Sequence, residues 1–233
     1  ETVTADLAES YGYTDSVDGV SALDALVRAH ELAFGEAFTK ATAKEYLDVS
    51  SSGWISKLFG TATYACGFYV NEGYPNDGTE SGYGGYNGTY VTTQELKSGD
   101  VVDFYIMSDD TAYSDYYTWI DAPAGAGAGQ KFDVTLKGFY AMEGYRYKTP
   151  AELRAAAKAI EGSCLAWIDA ETGEATAIAN VTTDENGKAT LTAPEKVGTY
   201  YLAATGDAEE ELYCLMNPVA FDVVAAPESI TVK

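Results

Sequence analysis

Near its middle the chain reads DAPAGAGAGQK over Asp121–Lys131, a run with no aromatic or branched aliphatic side chain. A stretch built from Ala, Gly and Pro has almost nothing to bury, which is the composition of a linker. It therefore predicts two separately folded pieces: residues 1–121, a joint over 122–130, and residues 131–233. A chain of 233 residues is long enough for each piece to bury its own core.

Charge narrows the partners. The chain carries 14 basic and 36 acidic side chains, a net of −22. Cutting after Ala126 assigns 5 bases and 20 acids to the first part, so most of the excess lies there. A field of that sign repels phosphate backbones and anionic headgroups, which argues against nucleic acid and membrane surfaces as partners. No apolar run is long enough to span a bilayer, so direct membrane insertion is not expected. The opening ETVTADLAES lacks the charged start and apolar core of a signal peptide, as a processed protein or a trimmed piece of a longer one would. No sorting signal is visible at the other end, so any wall anchor is expected beyond Lys233.

In the first part, Asp18–Phe34 (DGVSALDALVRAHELAF) places Val20, Leu23, Leu26 or Val27, His30 and Phe34 at helical spacing, with Asp18 as N-cap and Gly35 as stop. A shorter helix is expected within Lys40–Leu47. Tyr64–Val70, Val101–Met107 and Tyr116–Ile120 read as strands. Between the first two lies Asn71–Tyr90, a polar loop of unusual length. One main helix followed by strands suggests an α+β layer.

In the second part, Lys131–Tyr140 alternates as a strand does. Thr149-Pro150-Ala151-Glu152 is a capping box with proline at the first helical position, opening a helix to Ile160. Strands follow at Cys164–Asp169, Ala177–Thr182, Ala189–Thr192, Gly198–Thr205 and Val219–Val224, with a glycine turn at Asp184–Gly187. Short strands with turn chemistry between them predict an immunoglobulin-like sandwich carrying a helical insertion. Cys164 and Cys214 lie in this part. Paired, they would stabilise the fold by roughly 4 kcal/mol in the chain-entropy model, and two free buried thiols are the alternative. Cys66 reads as a small core residue.

Two resemblances add to this. Ser21-Ala22-Leu23-Asp24-Ala25-Leu26, Gly53-Trp54-Ile55, Phe68-Tyr69-Val70-Asn71 and Leu96-Lys97-Ser98-Gly99-Asp100 resemble, in order and spacing, the transcobalamin-like C-terminal domain of bacterial extracellular proteins. The resemblance implies a β-grasp-like fold and, in vitamin B12 carriers, a domain that covers one face of the corrinoid. This sequence departs from the carriers: it shows no large helical barrel to supply most of the corrinoid contact, which argues against cobalamin as a cofactor. Thr182–Ala189 (TTDENGKA) followed by Gly198-Thr199-Tyr200-Tyr201 resembles the immunoglobulin-like repeats of Gram-positive surface proteins over about Lys131–Val232. Those modules act as stalks or spacers, and both resemblances imply an extracellular or cell-surface location. The fold class expected is an α+β β-grasp-like domain followed by an all-β immunoglobulin-like sandwich.

The chemistry points away from an enzyme. The single histidine, His30, sits on the inward face of a helix, where histidine is generally packed, and a lone imidazole makes no common zinc site or facial triad. No nucleophile elbow, Walker loop or dinucleotide fingerprint is present. Acidic loops at Asn71–Asn87 and Asp109–Asp115 offer oxygen ligands to calcium without EF-hand spacing, so calcium is a minor option beside solvated loops. The candidate ligand-binding residues are Tyr74, Tyr83, Tyr86 and Tyr90, with Trp54 and Tyr113, as a wet aromatic surface of the kind that stacks on sugars or recurs at interfaces. Two readings follow: a non-enzymatic adhesion module whose first domain binds a glycan, a host or surface protein, or a small ligand; or a spacer in which both domains are structural. In a loop of this kind the tyrosines also serve as anchors onto their own sheet.

Overall fold

The computed structural model describes residues 2–225; Glu1 and residues 226–233, including the end of the immunoglobulin-like resemblance at Val232 and the position of Lys233, lie outside the described residues. Strand dominates over helix, 39% against 18%. No helix among the described residues is long and apolar enough to cross a membrane.

The chain divides into two units, but not at Asp121–Lys131. One unit comprises Glu1–Tyr113 with Met142–Ala155, the other Ser114–Ala141 with Ala156–Lys233. The expected joint is a correction. Gly125–Gly127 is a strand that pairs in parallel with Val219–Val224, through Asp222↔Gly125, Val223↔Ala126 and Val224↔Gly127. Ala122, Ala126 and Ala128 pack against the core of that unit. A Cβ on Gly125 would collide with the Asp222 carbonyl oxygen. The small residues are there because two backbones approach closely, not because the chain must flex. Tyr116–Asp121, expected in the first piece, pairs with Lys131–Tyr140 and belongs to the second unit. The capped helix after Thr149 belongs to the first unit.

In the first unit the helix Ala22–Phe34 is the organising element. Its N-cap is Ser21 rather than Asp18: the Ser21 hydroxyl accepts from the Asp24 N–H while Asp24 accepts from the Ser21 N–H, a full capping box. Asp24 also accepts from the Ala8 N–H at 2.8 Å, so its buried charge is satisfied by three donors, the Ser21 hydroxyl included. Leu23, Leu26 and Val27 face a core with Leu47, Leu58 and Phe68. The expected single sheet is instead three small ones. Asp48–Val49, Ile55–Leu58 and Thr61–Ala62 form a meander, Cys66–Val70 pairs with Val102–Ile106, and Asn76–Glu80 pairs with Tyr86–Gly88. The last pair turns the expected polar loop into a hairpin. The box at Thr149 is formed, with Glu152 accepting from Thr149 N–H and Thr149 accepting from Glu152 N–H, but the helix spans only Pro150–Ala156. Lys158–Ala159 has already turned to strand and pairs with Lys137–Gly138.

The second unit has two five-stranded sheets. In one, Lys131–Tyr140 is central, with Tyr116–Asp121 on one side and both Lys158–Ala159 and Lys188–Thr192 on the other; Cys214–Leu215 adds to Tyr116–Asp121 in parallel. In the other the order is Ala175–Thr182, Cys164–Asp169, Gly198–Gly206, Val219–Val224, Gly125–Gly127. Val134, Leu136, Leu165, Leu191, Leu202 and Phe221 are buried in one cluster fed by both sheets. Trp167 stands in it, 5.2 Å from Phe221 and 6.0 Å edge-on from Tyr200.

Candidate functional site

The aromatic residues singled out by sequence separate into three groups. Trp54 and Tyr90 come together. Trp54 follows a tight turn in which its N–H donates to the Ser50 hydroxyl at 3.0 Å. Tyr90 opens another, its N–H donating to the Thr93 hydroxyl at 2.9 Å and its carbonyl accepting from the Gln94 N–H. The two ring centroids lie 6.0 Å apart with planes inclined at 52°. Both residues are exposed, 57% and 43%. Gly53, at φ +87°, makes this possible: a Cβ there would stand 2.5 Å from Tyr90 Cβ and 2.6 Å from Thr92 Oγ1.

Tyr74 and Tyr86 form the second group, on the hairpin. Tyr74 is half-buried, and its ring lies directly on Gly88. Burial pushes its hydroxyl pKa up, and the neighbouring Tyr90 and Tyr145 push it the same way. Tyr145 meets it edge-on at 6.5 Å. Tyr86 carries the Lys148 ammonium over its ring at 5.9 Å, and Tyr145 the Arg146 guanidinium at 5.3 Å. Asn76 staples the hairpin to the same segment, its amide donating to the carbonyls of Tyr74 at 2.8 Å and Lys148 at 3.1 Å. Arg154 pairs with Glu72 at the hairpin's base. The hairpin is thus anchored by Tyr145, Lys148 and Arg154, and its tyrosines are partly spent on that anchoring.

Tyr83 and Tyr113 stand apart. Tyr83 sits in the hairpin turn, 98% exposed. Tyr113, at φ +56°, makes no ring contact with the other five. The ring contacts therefore form two pairs, Trp54–Tyr90 and Tyr74–Tyr145, with Tyr86 on the same hairpin as Tyr74. Sequence reading missed Tyr145, whose segment was assigned to the other domain; the signal for it is the basic-aromatic run Tyr145-Arg146-Tyr147-Lys148, set against a loop with acids and no bases.

The remaining candidates are accounted for locally. Asp77 accepts from the N–H and hydroxyl of Thr79, and Asp109 from the N–H groups of Thr111 and Ala112, so the acidic loops cap their own turns. Among the described residues no group of three His, Cys, Asp or Glu side chains gathers for a metal ion. Cys164 and Cys214 are free thiols, a correction to the disulfide considered from sequence. It is Ser163, the residue before the strand, that faces Cys214, its hydroxyl 3.7 Å from the sulfur. His30 is fully buried; its Nδ1 bonds the Leu26 carbonyl at 2.8 Å and its Nε2 accepts from the Phe59 N–H at 3.1 Å. No family model, curated protein or solved structure matches this chain.

Proposed function

We propose that this chain is a non-enzymatic extracellular binding module that takes a glycan on the aromatic ridge of its first unit. The observation that carries the reading is the Trp54–Tyr90 pair: two exposed rings, adjacent and held by turns through the Ser50 and Thr93 hydroxyls. Adjacent exposed Trp and Tyr rings are enriched where a surface meets a partner. Planes inclined at 52° make a shallow V rather than a flat clamp. A puckered sugar fits such a V, with ring C–H groups on the aromatic faces, and a wide planar corrinoid does not. The resemblance of the first unit to the transcobalamin-like domain then concerns fold: a β-grasp-like unit whose helix Ala22–Phe34 lies against Val102–Ile106.

The second unit serves as a spacer. Its first strand pairs with Lys131–Tyr140 in one sheet, then crosses at Gly125–Gly127 to the last strand of the other. With Trp167 buried between the sheets, this supports the immunoglobulin-like reading. A glycan array probed with the intact chain, followed by titration of any hit, tests the proposal. Binding that is lost with Trp54→Ala and kept with Tyr83→Ala supports the ridge. Binding indifferent to Trp54, or a uniformly negative array, leaves the spacer reading for both units.

A further inference from the structure

The strand Val102–Ile106 has a partner on one side only. Its ladder with Cys66–Val70 is antiparallel, and flanking bonds fix the phase: Asn71 N–H donates to the Val101 carbonyl at 2.8 Å and Met107 N–H to the Ala65 carbonyl at 2.7 Å. In an antiparallel pair alternate residues aim their backbone groups at the partner. Residues 101, 103, 105 and 107 therefore face Cys66–Val70, and Val102, Phe104 and Ile106 direct their N–H and C=O groups outward. Among the described residues no hydrogen bond reaches those outward groups.

Beside this edge runs an open groove of about 630 Å³ between the strand and the helix Ala22–Phe34. Val102 and Phe104 form one wall, Ala25 and Ala29 the helical wall, with Val20 and Leu96 between. Ala25 and Ala29 are one turn apart, and their methyl groups leave depth that larger side chains would fill. Thr2 and Val3 also border the groove without joining the ladder. An unpaired edge lying next to an apolar groove is the arrangement that accepts a peptide as an added strand: main-chain bonds hold it, and alternate side chains enter the groove.

We propose that this edge and groove bind an extended polypeptide segment of a partner, apolar at the alternate positions that face the helix and basic at those that face solvent. Charge selects the occupant. A second copy brings the same −22 and is repelled, whereas basic side chains are drawn to a unit this acidic. At the edge itself, Asp100 is held as a carboxylate by donors from Asn71 Nδ2 and the Lys97 N–H, both at 2.8 Å, and Asp103 lies within the strand; Lys97 is the base in the groove's lining, so the attraction comes from the acidic unit as a whole. The site is separate from the aromatic ridge and stands whether or not the ridge binds a glycan.

The test uses the intact, isotopically labelled chain and a capped peptide of alternating lysine and valine, seven residues long. Hydrogen exchange read by NMR should show the amides of Val102, Phe104 and Ile106 exchanging fast in the free protein and slowing when peptide is added. Two further peptides carry backbone N-methyl groups, one on the valines and one on the lysines. An added strand aims only one of these sets at the edge, so one methylated peptide should bind about tenfold or more weakly and the other almost unchanged. Ala29→Phe, which fills the groove, should weaken the parent peptide by a similar factor. Three results would overturn the proposal: equal binding by all three peptides, which is attraction by charge alone; no binding; or outward amides already protected without peptide. The methylation pair decides the matter even if Ala29→Phe disturbs the fold.

Discussion

The His30 ring lies parallel to the Phe59 ring, centroids 4.3 Å apart and planes within 5°, and the same histidine accepts the Phe59 N–H through Nε2. One side chain thus supplies a stacking face and a backbone acceptor to a residue whose φ of +48° needs holding in place. Nδ1 donates to Leu26, so the bonding fixes the neutral tautomer, and protonation would destroy the Phe59 bond.

The first prediction follows from that bond. Burial lowers the His30 pKa below its ordinary value, outweighing backbone bonds that raise it. A group whose folded pKa is depressed contributes stability that is complete above its unfolded pKa of about 6.5 and is lost as the pH falls through the folded value. The stability of the first unit, read by chemical denaturation, should therefore fall as the pH is lowered from 7.5 to 5. His30→Phe should cost about 1–3 kcal/mol at pH 7.5, because the Phe59 N–H is left without its acceptor. It should also flatten the pH dependence relative to the parent chain. Parallel slopes for the two proteins would refute this.

A second prediction concerns Gly53. Gly53→Ala places a Cβ against Tyr90 and Thr92 at a φ of +87°, which should cost about 1–3 kcal/mol and move Tyr90 away from Trp54. Thermal melting and the Trp54 fluorescence should change together. If glycan binding is found, this variant should lose it while Tyr83→Ala does not.

Local signals were legible in the sequence where a residue's neighbours in the chain are also its neighbours in space. Lys131–Tyr140 runs as a strand over the whole span expected, and the Thr149–Glu152 box forms as read. Asp121–Lys131 misled because flexible glycine and close-packed glycine have the same composition; only the Asp222 carbonyl distinguishes them, and it lies about a hundred residues away. Tyr145 was invisible for a related reason: the chain between it and Tyr74 includes Ser114–Ala141, three strands that fold in the other unit. The hairpin at Asn76–Gly88 hid behind polar composition, since its exposed residues never needed to alternate.

The third prediction tests the boundary. If Asp121–Lys131 were a free joint, Gly125→Val would be tolerated. With the strand pairing found here it forces a branched side chain into the Asp222 backbone, and the second unit should lose about 2–4 kcal/mol. Limited proteolysis of the parent chain should spare 121–131, and the Gly125→Val chain should be cut there. Neutral behaviour in both assays would restore the joint.

The last prediction concerns the thiols. Cys66 is pushed up to about 11 by burial alone. Cys214 is also raised by burial, although hydrogen bonds from Ser163 and Thr118 act in the opposite direction. The thiolate is the reactive form, so at pH 8 both should react with an aromatic disulfide reagent far more slowly than a free thiol does, and at full rate once denatured. Denatured under non-reducing conditions, the chain should yield three titratable thiols, and a reductant should leave its melting temperature unchanged. Both readouts bear on the same geometry. Bridging Cys164 to Cys214 requires displacing Ser163 from its bonds to the Cys214 sulfur and the Gly206 N–H. A titration of one thiol, with a melting temperature that falls on reduction, would show that the strand makes that rearrangement.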